Sequence, residues 1–118
     1  LGFLFFDVHA QQQLADSSKA KYTKADIDKF IAENKLVMID FSAGWCIPCH
    51  KMAAIIEELE KENKNLKVVR VDYDINKTLA VEMNVYEIPY VMLYINGKLK
   101  ENIIGVMPKE HIEEMMKN

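Results

Sequence analysis

Leu36-Val-Met-Ile-Asp-Phe41 is the stretch that most narrows what this chain can become. It is short and apolar at nearly every position, so neither set of alternate residues is suited to water. A run of this kind reads as a strand covered on both faces, in the middle of a parallel or mixed sheet. The residues after it supply a crossover. Ser42-Ala-Gly-Trp45 reads as a loop, and from Cys46 to about Asn63 the periodicity becomes helical. Met52, Ile55, Ile56 and Leu59 form one apolar stripe, while Glu57, Glu58, Glu60, Lys61 and Glu62 face away as a solvated surface. Lys67 to Tyr73, with Val68, Val69 and Val71, is a second strand.

The flanking segments complete the pattern. Thr23-Lys-Ala-Asp26 starts a helix, with Thr23 as N-cap and an acid three residues on, and Ile27, Phe30 and Ile31 follow at helical spacing until Asn34 and Lys35. Asn76 to Met83 forms a short helix and Tyr90 to Ile95 a third strand. Asn96-Gly97 is a hairpin signal, because both turn positions need positive φ. A fourth strand runs from about Lys98 to Ile104, and Pro108 opens a last helix carrying Ile112, Met115 and Met116. A βαβ unit followed by a ββα unit places the chain in the α/β class, with a central mixed β-sheet flanked by helices. Met38, Met52, Met83, Met92, Met115 and Met116 read as core filling.

The 118 residues suit one domain, and half of them are apolar, enough for a core without staples. A net charge of -3 and a pI near 5.6 leave no basic footprint for nucleic acid. No stretch is long enough to span a bilayer. Residues 1–20 are set apart from the domain at 21–118. Leu1 to Phe6 is a short apolar run, Val8-x-Ala10 has the small-residue pattern of a signal-peptidase site, and Gln11 to Ala20 is a polar linker. We read this segment as the remnant of a signal peptide or membrane tether, which implies a periplasmic or membrane-tethered, extracytoplasmic location. The alternative is an ordinary N-terminal helix or packed tail on a cytoplasmic protein.

The chain has two cysteines, Cys46 and Cys49. A bridge between them closes too small a loop to restrain the unfolded chain much. Redox chemistry, a metal, a cofactor attachment or two inert core thiols remain. Zinc wants four ligands, and His9 and His111 are isolated. Cys46-Ile-Pro-Cys49-His50 also fits the C-x-x-C-H haem attachment pattern, and seven methionines offer an axial ligand. Yet the strand–loop–helix context and the later Ile88-Pro89 are unexplained by a cytochrome. Redox exchange has a physical basis here. Cys46 falls where a helix begins, and the first N–H groups of a helix lack internal partners and favour negative charge. A thiolate is stabilised there, and the thiolate is the attacking species. Cys49 lies one turn further in, and Pro48 is tolerated because the first turn needs no N–H from it. His50 either adds positive charge nearby or faces solvent.

These residues resemble the thioredoxin family over about Tyr22 to Lys117. The anchors are Val37-Met-Ile-Asp-Phe41, Trp45-Cys-Ile-Pro-Cys49, Ile88-Pro89, Asn96-Gly97 and Gly105. The run from Val37 to Cys46 also looks like the C-terminal thioredoxin-like domains of bacterial transmembrane disulfide reductases, the DsbD type. The resemblance implies a thioredoxin fold and assigns roles. Cys46 is the attacking thiol and Cys49 the resolving one. Asp40 is the buried carboxylate that assists proton transfer with Cys49, which suits an acid whose pKa burial raises. Arg70 stands where the family often has a Lys paired with this Asp, so it is expected to hold Asp40 ionised. Pro89 matches the family's cis-proline, which would turn the backbone of Ile88 toward the cysteines and free it to pair with an extended peptide. Trp45, Ile47 and Pro48 complete the substrate-binding set.

The sequence departs from the family pattern at Ile47, where Gly is usual, at Tyr90 for Thr, at Ser42 for a bulky aromatic and at His50 for Lys. The expected function is thiol–disulfide exchange, reducing protein disulfides through a mixed disulfide on Cys46. Disulfide isomerisation or oxidation, or redox-inactive peptide binding, are the alternatives. No metal or organic cofactor is expected. The expected partners are protein disulfides and an upstream reductant, either a thioredoxin reductase or a membrane electron carrier, acting on a monomer. Asp72 and Asp74 read as solvated strand-end charges.

Overall fold

The computed structural model describes residues 19–117, so the segment read as a signal or tether remnant lies almost wholly outside the described residues. Eight elements follow in order: α1 (Lys24–Glu33), β1 (Leu36–Ser42), α2 (Ile47–Glu62), β2 (Leu66–Asp72), α3 (Lys77–Glu82), β3 (Tyr90–Ile95), β4 (Lys98–Ile104) and α4 (Lys109–Met116). The sheet order is β2-β1-β3-β4. β1 pairs parallel with β2, and β3 is antiparallel to both β1 and β4.

The double-faced burial expected of β1 follows from that order, since β1 is interior and helices cover both sides. Val37, Ile39 and Phe41 belong to one core with Ile27 of α1, Val69 and Val71 of β2, Leu79 and Ala80 of α3, and Met92. Met38 belongs to the other, with Met52, Ile56 and Leu59 of α2, Val68, Val91, Leu93, Ile103 and Ile112 of α4. Alternate residues of a strand face opposite ways. Asp40, two residues after Met38, is therefore on the α2 side. Met38, Met52, Met83 and Met92 are buried, while Met115 and Met116 pack at the rim.

Local chemistry fixes the element ends. Thr23 and Asp26 form a reciprocal capping box at α1. The parallel pairing carries β1 one residue beyond the apolar run, to Ser42 opposite Asp72. Asn96 and Gly97 both have positive φ, at 52° and 81°, as a two-residue hairpin requires. α3 ends on Asn84 at φ 60°, a conformation asparagine tolerates. There the Val85 N–H reaches the Ala80 carbonyl at 2.8 Å and the Asn84 N–H that of Val81 at 3.1 Å. This paired closure is a Schellman motif, which buries Val85 and sends the chain toward Ile88.

Candidate active site

The loop from β1 to α2 brings the cysteines to the C-terminal end of the central strand. Cys46 is the N-cap of α2, in extended conformation, and Pro48 occupies the first turn. The Cys49 N–H donates to Cys46 Sγ at 3.2 Å, so one of the helix's unpartnered donors already points at the sulfur expected to carry charge. The loop is closed by the Cys46 N–H on the Ala43 carbonyl at 3.2 Å. Cys46 and Cys49 are joined as a disulfide with Cα atoms 5.2 Å apart. Both are buried, Cys46 5 % and Cys49 2 % exposed.

Around the pair the surface is open and apolar. Trp45 is 68 % and Ile47 71 % exposed, and Pro48 is exposed beside them. Ala43, Cys46 and Cys49 form a small cluster against which Ile88 packs. The Ile88–Pro89 peptide is cis and Pro89 is buried. The β3–β4 ladder begins at Tyr90 opposite Ile104, so Ile88 lies beyond the paired sheet, next to the cysteines. Of the residues named from sequence, Trp45, Ile47, Pro48, Ile88 and Pro89 thus gather about Cys46 and Cys49, with Asp40 beneath the α2 face. His50 is exposed, and its Nε2 lies 2.8 Å from the Gly44 carbonyl. A carbonyl only accepts, so the ring donates there and braces the loop.

Asp40 is 3 % exposed, and burial pushes its carboxyl up to about 6, with the Arg70 charge pulling weakly the other way. Arg70 thus acts in the expected direction, favouring the ionised carboxyl, but burial outweighs it. The two are opposite one another in the β1–β2 register, but the Arg70 guanidinium turns to Glu60 on α2, at 2.8 Å. Half-solvated and already paired, it offsets little of the cost of removing Asp40 from water.

Asp72 and Asp74 stand at the solvated end of β2 as expected, and they have structural roles as well. Asp72 Oδ1 accepts the N–H groups of Asp74 at 2.9 Å and Ile75 at 3.2 Å, forming an Asx-type turn. Asp74 Oδ2 in turn accepts the Trp45 indole N–H at 2.8 Å. These acids build and anchor the rim of the site. Asp-x-Asp after a strand carries a turn signal, but only the fold shows that the turn stands opposite Trp45.

A disulfide-bonded cysteine pair at a helix start, a buried acid of raised pKa on the strand that leads to it and the Ile88 backbone packed beside it define a thiol–disulfide exchange centre on a thioredoxin fold. Comparison with known proteins narrows the class. The thioredoxin family profile matches residues 18–118. Thioredoxin from Mycoplasmoides gallisepticum is 35% identical over 94 residues, covering 80% of this chain and 94% of that protein. Thioredoxin from Bacillus subtilis is 36% identical over 96 residues, covering 79% and 92%. Among solved structures, oxidised mitochondrial thioredoxin 3 from Saccharomyces cerevisiae superposes with a TM-score of 0.72 at 30% identity, over 86% of this chain and 98% of that one. The chain belongs to the thioredoxin family. It is a thiol–disulfide oxidoreductase working by dithiol exchange, with the activity of a protein-disulfide reductase.

Proposed function

We propose the following division of labour. Cys46, as thiolate, attacks one sulfur of a partner protein's disulfide; a mixed disulfide forms and the partner's other sulfur leaves as thiolate. Asp40 takes the proton of Cys49. The Cys49 thiolate then attacks Cys46 Sγ, closing the Cys46–Cys49 disulfide and releasing the partner's second thiol. Two electrons pass from the dithiol to the partner. The observation that carries this order is the Cys49 N–H directed at Cys46 Sγ, which favours charge on Cys46. Trp45, Ile47, Pro48, Ile88 and Pro89 form the contact surface, with Ile88 offering backbone to an extended segment.

The reaction needs no metal or organic cofactor. The domain acts as a monomer and is recharged by an upstream dithiol donor, a thioredoxin reductase or a membrane electron carrier. The Leu1–Ala10 pattern supports an extracytoplasmic site of action, and mass spectrometry of the mature N-terminus in cells tests it: a cytosolic chain retaining Leu1 would exclude export. Cys46→Ser tests the core of the proposal. It should abolish disulfide reduction, whereas a peptide-binding module would keep its function. Equilibration of the pair against glutathione tests direction. A potential near about -270 mV fits a reductant, and one toward about -120 to -180 mV would instead make the protein an oxidase or isomerase.

A further inference from the structure

Asn76 has given up the role its position invites. It is the N-cap of α3, where an asparagine ordinarily accepts a bond from the helix's first turn, yet it makes no side-chain cap bond. Its side chain is instead turned inward. Asn76 is 4 % exposed and, with Asp40, is one of two buried polar or charged side chains among the described residues. Its Oδ1 accepts the Tyr22 N–H at 2.8 Å, and its Nδ2 donates to the carbonyls of Ala20 and Asp72, both at 3.0 Å. Both amide hydrogens are therefore used, and the backbone N–H of Asn76 reaches the same Asp72 carbonyl at 3.0 Å.

What Asn76 holds is the turn that carries the site's rim. Asp72 Oδ1 organises Asp74 and Ile75, the Tyr73 N–H donates to the Ser42 carbonyl at 2.8 Å, and Asp74 holds the Trp45 indole. Trp45 is largely in solvent, with little packing to orient it, so the bond to Asp74 fixes its ring. We propose that Asn76 is a positioning residue for Trp45, clamping the Asp72–Ile75 turn to the chain at Ala20–Tyr22 so that Asp74 meets the indole. Its effect on exchange with partner proteins rests on the reading of Trp45 as part of the contact surface.

The test uses the full chain and two variants. Asn76→Ser removes the amide while keeping a side chain able to cap α3. Asn76→Asp keeps the volume but turns the two N–H donors into acceptors. Trp45 is the chain's single tryptophan, so its fluorescence anisotropy reports the ring directly. Both variants should lower that anisotropy to the value of Asp74→Ala. With insulin as the protein disulfide, they should raise KM by about three- to tenfold, the range of one lost buried hydrogen bond, with kcat within about twofold. In an Asp74→Ala background, Asn76→Ser should add nothing.

Variants that lose thermal stability but keep wild-type anisotropy and KM would overturn the proposal, leaving Asn76 merely structural. So would additivity with Asp74→Ala, or failure of both variants to fold. If Trp45→Ala itself leaves KM unchanged, the reading of Trp45 as contact surface fails, and the anisotropy alone decides the positioning role.

Discussion

Replacing Asp40 by Asn should stabilise the protein at neutral pH while impairing its chemistry. The carboxyl titrates at about 6 in the folded state against 3.8 for the unperturbed group, because burial disfavours its charge. The sign follows from proton counting. Between these two values the folded state keeps a proton that the unfolded chain has released. Stability is then full below the lower value and falls as pH rises, until the loss is complete above about 6. A rise of about two pH units corresponds to roughly 3 kcal/mol. Asn recovers this at constant volume, less about 1 kcal/mol for an amide lacking full hydrogen bonding, a net gain of about 2 kcal/mol near pH 8. Urea denaturation of the oxidised protein at about pH 4 and pH 8 measures it. The wild type should lose roughly 2.5 kcal/mol relative to Asp40→Asn across that interval, since a small part of the loss is already present at about pH 4. The same variant should slow resolution of the mixed disulfide, by up to about a hundredfold, as loss of an acid–base group does. Parallel stability curves for the two proteins, or a variant weaker at both pH values, would refute the reasoning.

Other positions give further tests. Arg70→Gln should raise the Asp40 pKa above its present value, since Arg70 is the group that lowers it, and a carbon NMR titration of the Asp40 carboxyl would expose a fall instead. Thr23→Ala breaks the capping box of α1 and should cost about 1 kcal/mol in denaturant, with no change in reduction rate. Phe41→Ala empties a fully buried site beneath α1 and α3 and should cost about 3–5 kcal/mol; a loss under about 1 kcal/mol would mean that the core collapses around it. Cys49→Ala should let the Cys46 mixed disulfide accumulate with partner proteins, visible as a reductant-sensitive band, and its absence would reverse the assigned order of the two sulfurs.

Periodicity made the elements legible. The nearly continuous apolar run of β1, the stripe of α2 and Asn96-Gly97 each carry a local physical demand that few structures meet, and each stands where the sequence places it. The ion pairs were less legible. Arg70 and Asp40 are neighbours across β1 and β2, but Arg70 is on the edge strand, where its long side chain can swing outward. Glu60, ten residues back and on another element, becomes its partner only once α2 has crossed over the sheet. The same holds for the rim. Asp74 and Trp45 are far apart in the chain, and nothing local marks one as the acceptor for the other. Asn76 is harder still, because its sequence context advertises a helix cap that the fold declines to use.

Topology explains why the chemistry sits where it does. A parallel β1–β2 pair requires a crossover, and a crossover that starts at the C-terminal end of β1 sets a helix N-terminus beside the last residues of that strand. Cys46 therefore gains unpartnered N–H groups, which lower the energy of its thiolate. Asp40, two residues before the end of the same central strand, is denied water by α2, which raises the energy of its carboxylate. One geometric arrangement thus pushes two acids in opposite directions, making the first sulfur readier to ionise and the carboxyl readier to hold a proton. Proton traffic between a resolving thiol and a carboxyl needs the two affinities brought closer together, and burying Asp40 moves it that way. The stability that Asn would restore at position 40 is then the cost of that convergence. Its size should track how completely α2 excludes water from β1.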